Sequence, residues 1–145
     1  MTAPPPPVPG AAAHEVPCVG AVVHDAAGRL LVVRRGHAPS AGLWSVPGGR
    51  VEAGESEVEA VVREIAEETG LRVRPERVLG RVRIDGDGVV FTVTDWLCTL
   101  AEPGQQPVAG DDAADVAFVD ATGLAALDMA PGVVAALTGW SALPR

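Results

Sequence analysis

The sequence predicts an α/β/α sandwich with a mixed β-sheet, and three features of its pattern predict it. Apolar, β-branched runs of strand length lie near the start of the chain and again at residues 88–98. One amphipathic helix with clear boundaries stands between them, and two shorter helical patterns close the chain. Helical segments in the middle and at the end require a sheet covered on both of its sides.

Taken in order, residues 1–14 hold Pro4 to Pro7, Pro9-Gly10 and a run of Ala, a proline-rich arm that can neither donate to a sheet nor continue a helix. They read as a disordered tail, with residues 15–145 as the single folded domain. From Val16 the run VPCVGAVV, a turn at His24–Gly28 and RLLVVRR suggest a hairpin. Leu43–Val46 can add a short strand before a break at Pro47-Gly48-Gly49. Residues 71–84 alternate Arg with apolar positions, and Asp85-Gly86-Asp87-Gly88 turns the chain into GVVFTVTDWLC. That acidic turn lacks the further ligands of a calcium loop. Residues 99–113 form a long loop, Ala114–Asp120 a last strand, and helical patterns follow around Thr122–Met129 and Gly132–Gly139.

Composition narrows the function. The 145 residues are 48% hydrophobic, enough for one sizeable core, and the net charge of −8 argues against duplex nucleic acid or an anionic membrane as partner. All eleven basic side chains are Arg, so small anions can still be met by local Arg clusters. Cys18 and Cys98, each within an apolar stretch, read as reduced thiols in a core. The start MTAPPPPVPG has neither a basic n-region nor an apolar h-region, and no stretch approaches the about 18 apolar residues of a membrane span. The expectation is a soluble, cytoplasmic protein.

The central helix should run from Glu57 to Thr69. Ser56 and Glu59 fit a capping box, and Gly70 supplies a left-handed stop. At 100° per residue, Val58, Val62, Ile65, Ala66 and Thr69 gather on one side and Glu57, Glu64, Glu67 and Glu68 on the other. A solvated acidic face is the ordinary explanation of such a pattern, and Glu59 with Arg63 at i, i+4 fits it. The charge density argues otherwise: residues 52–68 hold seven Glu and one Arg, which is −6 of the chain's −8. At about 5 Å separation and an effective dielectric near 20, each like-charged pair repels by roughly 3 kcal/mol. A hard divalent cation removes that conflict. With only oxygen ligands and no nearby His or Cys, the set suits Mg²⁺ or Mn²⁺ rather than Zn²⁺.

The stretch GGRVEAGESEVEAVVREIAEETGL resembles the Nudix box, the signature of the Nudix hydrolase family. Gly49, Glu55, Arg63, Glu64, Ile65, Glu67, Glu68, Gly70 and Leu71 fill all nine constrained positions of a 23-residue span. The flanking LLVVRRG and GLWSVPGG also look like the family. The resemblance implies a Nudix-type sandwich and hydrolysis of a nucleoside diphosphate linked to another group, with Mg²⁺ or Mn²⁺ required. It implies Glu64, Glu67 and Glu68 as metal ligands, with the Gly48 carbonyl as a further one, and Glu55 and Arg63 as residues that orient them. For the general base, Glu52, Asp111, Asp112 and Asp115 are candidates, with Glu52 and Asp112 weighted most.

Outside the box, Arg34 and Arg35 alternate at the end of a strand, so at most one should reach a substrate phosphate; Arg35 is the candidate, together with Gly48 and Gly49. Trp44 can stack on a base or anchor the loop. Arg81 and Arg83 read as a solvated sheet edge, Phe91, Trp96 and Phe118 as core, and the three histidines as surface or turn residues. Subgroup tags for ADP-ribose, NADH, coenzyme A and dinucleoside polyphosphates are absent from their places, and the last needs a Tyr in a chain that has none. A nucleoside triphosphate, modified or not, is therefore the first choice of substrate, with ADP-ribose or a nucleotide sugar next. A nucleotide-binding regulatory domain without turnover is the alternative from another class, and the complete acidic set speaks against it. The partner expected is a small nucleotide, with a homodimer left open.

Overall fold

The computed structural model describes residues 14–37 and 40–145, so the proline-rich arm expected over residues 1–14 lies outside the described residues except for His14. Among the described residues ten elements follow one another: β1 (His14–Val23), β2 (Leu30–Arg35), β3 (Trp44–Ser45), β4 (Gly48–Arg50), α1 (Glu57–Thr69), β5 (Val73–Asp85), β6 (Val89–Leu100), β7 (Ala113–Val119), α2 (Ala121–Ala125) and α3 (Val133–Gly139). The strands form a four-stranded mixed sheet, β4-β1-β6-β5, and a three-stranded antiparallel sheet, β3-β2-β7. Within the larger sheet β1 runs parallel to β6 and antiparallel to β4.

Alternation along β1 and β2 divides the apolar side chains between two cores. Val19, Ala21, Val23 and Leu31 pack with Ala60, Val61 and Ile65 of α1. Val22, Leu30 and Val32 pack on the other side with Leu124 of α2 and Leu137 of α3. The expected sandwich is thus present, with α1 on one side and α2 and α3 on the other. Trp96 and Phe118 pack against the first core as expected, whereas half-buried Phe91 belongs to neither core and lies under the Arg50 guanidinium. Both cysteines are free thiols, Cys98 buried and Cys18 half-buried.

Three local expectations are corrected. The hairpin expected from β1 and β2 is reduced to a single bridge between His24 and Leu30. Both strands carry apolar residues on both faces, which makes each a central strand with two neighbours of its own. The Asp25 carboxylate accepts from Ala27 N, Arg29 N and Arg29 Nε, and this turn lets the two strands part into separate sheets. The break expected at Pro47-Gly48-Gly49 is instead the start of β4. A Cβ on Gly48 would stand 2.2 Å from the Val19 carbonyl oxygen, so only glycine lets this backbone lie against β1.

The third correction concerns α1, whose ends match the expectation while its orientation does not. Ser56 Oγ accepts from Glu59 N and Glu59 Oε1 accepts from Ser56 N, a complete capping box, and Gly70 stops the helix at φ 70°. The buried residues, however, are Ala60, Val61, Ile65 and Thr69, while Val58 and Val62 are exposed. The helix is rolled so that Glu64 and Glu68 lie within its inward arc and Val58, Val62 and Ala66 face outward. The hairpin of β5 and β6 forms as expected, closed by Gly86 N donating to Val89 O with Gly88 at φ 73°. Ser56→Ala removes the cap of the helix that carries the site, and it is expected to cost about 1 kcal/mol of unfolding free energy in urea titrations.

Candidate active site

The inward roll of α1 aims two carboxyl groups at the glycines of β4. A Cβ on Gly49 would meet the Glu64 carboxyl carbon at 2.3 Å, and Gly48 N donates to Glu68 Oε1 at 3.4 Å. The two carboxyls stand close enough to influence each other's titration. Burial, reinforced by the charge of Glu64, pushes Glu68 up to about 8, and burial also raises Glu64.

One guanidinium organises the surrounding acids. Arg63 Nε and Nη2 donate to the two oxygens of Glu55 at 2.7 and 2.8 Å, a bidentate pair. Its Nη1 donates to Glu64 Oε1 at 2.9 Å and to Glu67 Oε2 at 3.3 Å, its Nη2 donates to Arg50 O at 3.0 Å, and Glu52 stands 3.3 Å away. The Glu55 hydrogen bonds raise Arg63 further above its ordinary value, and the same bonds hold Glu55 down at about 2. Arg63 and Glu55 thus brace the loop of residues 51–56 against the helix.

The other wall of the cleft comes from the ends of β2 and β7. A cleft of about 260 Å³ is lined by Arg34, Arg35, His37, Gly48, Gly49, Glu64, Glu68 and Asp112, among others. The register of β2 against β7 slips between Arg34 and Arg35, so strict alternation is broken and both arginines flank the cleft. Asp112 arrives through contacts that the sequence did not reveal. Val108 N and Gly110 N donate to the Thr69 and Glu68 carbonyls, occupying acceptors left open at the end of α1. A Cβ on Gly110 would stand 1.9 Å from Glu67 O, so a glycine in the middle of this loop is the signal that could have located the docking. His37, expected to be an isolated turn residue, joins the cleft 3.8 Å from Asp112.

The remaining candidates fall elsewhere. Glu52 is exposed and turned to Arg63, and Asp111 is exposed outside the cleft lining. Asp115 faces Arg34 across the ladder and accepts from Val116 N. Trp44 packs on the second core and does not line the cleft. Glu67 departs from the expected convergence: its carboxylate lies 56% exposed on Arg63, and among the described residues no three acidic, His or Cys side chains are grouped as a cation cage. Arg63 holds Glu67 outward while Glu64 and Glu68 turn inward. The two inward carboxyls, all-oxygen donors beside the Gly48 backbone, fit a hard cation, which needs few carboxylates when water and phosphate oxygens complete its shell.

The NUDIX domain model matches residues 14–136. The chain belongs to the NUDIX family. Among its relatives is the ADP-ribose pyrophosphatase of Methanocaldococcus jannaschii, 38% identical over 99 residues, which are 66% of this chain and 57% of that protein. A Mycobacterium tuberculosis protein named "Putative 8-oxo-dGTP diphosphatase 2" is 36% identical over 132 residues, 89% of this chain and 86% of that one. The crystal structure of a MutT protein from Methanosarcina mazei shares the fold at a TM-score of 0.74 and 22% identity, covering 89% of this chain and 94% of that one. A MutT NUDIX hydrolase from Burkholderia pseudomallei aligns at a TM-score of 0.68 and 28% identity, over 86% and 97%. As a Nudix hydrolase the chain is a pyrophosphohydrolase, and the family in general uses divalent metal cations. No helix among the described residues is long and apolar enough to cross a membrane.

Metal-free protein carries a pH signature. Between roughly pH 4.3, where an unfolded glutamate titrates, and about 8, where folded Glu68 does, the folded state binds more protons than the unfolded state, so stability falls as pH rises. Glu64 and Asp95, also raised, add to the same trend, while Glu55 opposes it only below about pH 4. Thermal melts of chelator-treated protein are expected to move down between pH 5 and 8, and Glu68→Gln is expected to flatten that slope.

Proposed function

We propose that the cleft hydrolyses a phosphoric anhydride bond in a nucleoside diphosphate linked to another group, with a nucleoside triphosphate, modified or not, as the substrate of first choice. The observation that carries the reading is the juxtaposition of two half-buried carboxyls, Glu64 and Glu68, with two arginines across one cleft. Glu64, Glu68 and the Gly48 carbonyl would hold Mg²⁺ or Mn²⁺, with Glu67 swinging from Arg63 to join them. When bound, the cation offsets negative charge on the phosphoryl oxygens and lowers the pKa of a coordinated water.

The chain's own residues do the rest. Arg34 and Arg35 bind the outer phosphate oxygens, with Gly48 and Gly49 lining the cleft beside the carboxyls. Arg63, tied to Glu55, fixes the Glu64 rotamer, and positioning of this kind carries much of the catalysis of phosphoryl transfer. Asp112 takes the proton from the attacking water, because it alone of the four candidates lines the cleft with its carboxylate unclaimed by an arginine. Glu52 belongs to the Arg63 network and is the second choice. We place the reaction in the cytoplasm.

ADP-ribose or a nucleotide sugar is the second reading, favoured by the archaeal relative named as an ADP-ribose pyrophosphatase. A panel of nucleoside triphosphates, ADP-ribose, nucleotide sugars and dinucleoside polyphosphates, each assayed with Mg²⁺ and Mn²⁺, separates these. Glu64→Gln and Glu68→Gln are expected to lower kcat/KM by on the order of 10³-fold or more with circular dichroism unchanged. Wild-type turnover in both would reject the cation assignment. Asp112→Asn is expected to lower kcat by roughly 10²-fold with KM little changed, and an unaltered kcat would move the base to Glu52.

A further inference from the structure

Two lips border the cleft, the segment after β2 and the turn before β7, and each carries a titratable side chain, His37 on the first and Asp112 on the second. The turn is anchored to the helix that carries Glu68. Gly110 N donates to Glu68 O at 2.9 Å and Ala113 N to Gly110 O at 3.3 Å, which closes a turn with Asp112 as its third residue. The ladder draws the other lip against it. Arg35 pairs with Ala113 at the end of β2, and a Cβ on the next residue, Gly36, would stand 3.0 Å from Asp112 O, so a bare residue lets the two backbones close up. His37 follows and sets its Nε2 3.8 Å from Asp112 Oδ1.

This contact contributes little to the fold. The two side chains are 72% and 80% exposed, and an ion pair so open to water adds next to nothing to stability. Its place in the cleft gives it another use. Asp112 shares the cleft with the carboxyls of Glu64 and Glu68, and a phosphoric anhydride brings further negative charge, all of which repels a carboxylate aimed at the reacting centre. Arg34 and Arg35 are assigned to the phosphate oxygens, so among the residues lining the cleft His37 is the side-chain donor left for Asp112. At 3.8 Å the pair is not yet hydrogen-bonded. Catalytic contacts are commonly loose before substrate binds and tighten with it.

We propose that His37 is the positioning residue of the base: its Nε2–H donates to Asp112 Oδ1 and holds the carboxylate with Oδ2 turned to the attacking water. This rests on the reading of Asp112 as the base and adds what holds it in place. As the water attacks, its O–H bond breaks and the proton passes to Oδ2, the water oxygen bonds to phosphorus, and the bridging P–O bond breaks with its electron pair on the departing phosphate. His37 keeps its own proton throughout, because an imidazole with hydrogen on Nε2 is a donor there whether neutral or charged. Touching the base and not the substrate, it acts on kcat and leaves KM alone.

The test combines steady-state kinetics with Mg²⁺, on the member of the substrate panel that turns over fastest, with ¹⁵N signals of the imidazole, which need no turnover. His37→Ala is expected to lower kcat roughly 10-fold with KM little changed, and thermal melts should superimpose on the wild type. His37→Gln, whose amide nitrogen can take the place of Nε2, is expected to recover most of that loss. On an Asp112→Asn background His37→Ala is expected to cost nothing further, since the two act as one unit. The His37 ring signals, assigned by their absence in His37→Gln, are expected to move on Asp112→Asn. A loss confined to KM, an equal loss on the Asp112→Asn background, no recovery with Gln, or ring signals unmoved by Asp112→Asn would overturn the assignment. If Asp112→Asn lowers kcat while His37→Ala does not, Asp112 stays the base and the role of His37 falls. If Asp112→Asn leaves kcat unaltered, the reading of Asp112 falls and this one with it.

Discussion

Desolvation of two like-charged groups is the constraint on which this structure turns. Glu64 and Glu68 lie within the inward arc of an amphipathic helix, where the pattern alone would place leucines, and the surroundings are fitted to that burial. Gly49 is bare because the Glu64 carboxylate occupies the space of its side chain. Gly48 turns its N–H to Glu68, and Arg63 supplies positive charge to Glu64 from the helix surface. Burying the two carboxyls costs stability, and a hard cation between them would offset that cost.

The scaffold keeps this pair in place from three directions. β4 hydrogen-bonds to β1 at a close approach that only glycine permits, which fixes the distance from strand to helix. The capping box fixes the start of α1, and the loop at Val108 and Gly110 claims the carbonyls at its end. The bidentate Arg63 and Glu55 pair ties the loop before α1 back to the helix surface. Rolling or sliding α1 breaks one of these three, so the roll that carries the carboxyls inward is over-determined. At the margin of the site, the register slip between β2 and β7 brings Arg34 and Arg35 to one cleft.

Much of the fold was legible in the residues because local rules and long-range packing agreed there. Ser56, Glu59 and Gly70 mark the ends of α1, and Asp85-Gly86-Asp87-Gly88 marks the β5 and β6 turn; each is a short-range signal with a specific backbone conformation behind it. The separation of β1 and β2 is not legible in the sequence, because adjacency in the chain is the only guide to pairing there, and two strands with apolar residues on both faces take other neighbours. The roll of α1 is hidden for a related reason. Hydrophobicity alone puts Val58 and Val62 inside, and only the glycines of β4 show that carboxyl groups can be buried in their place.

By itself the sequence determined the chemistry: the spacing of Gly49, Glu55, Arg63, Glu64, Glu67, Glu68 and Gly70 sets the acids, their brace and the helix that carries them, because one-turn periodicity links residues close in the chain. The tertiary structure decided which acids face the cleft, that the segments after β2 and before β7 bring His37 and Asp112 together there, and that Asp95 is buried over Gly20. These relations join residues far apart in sequence, and they depend on strand register and helix roll, which are settled only when the two cores pack.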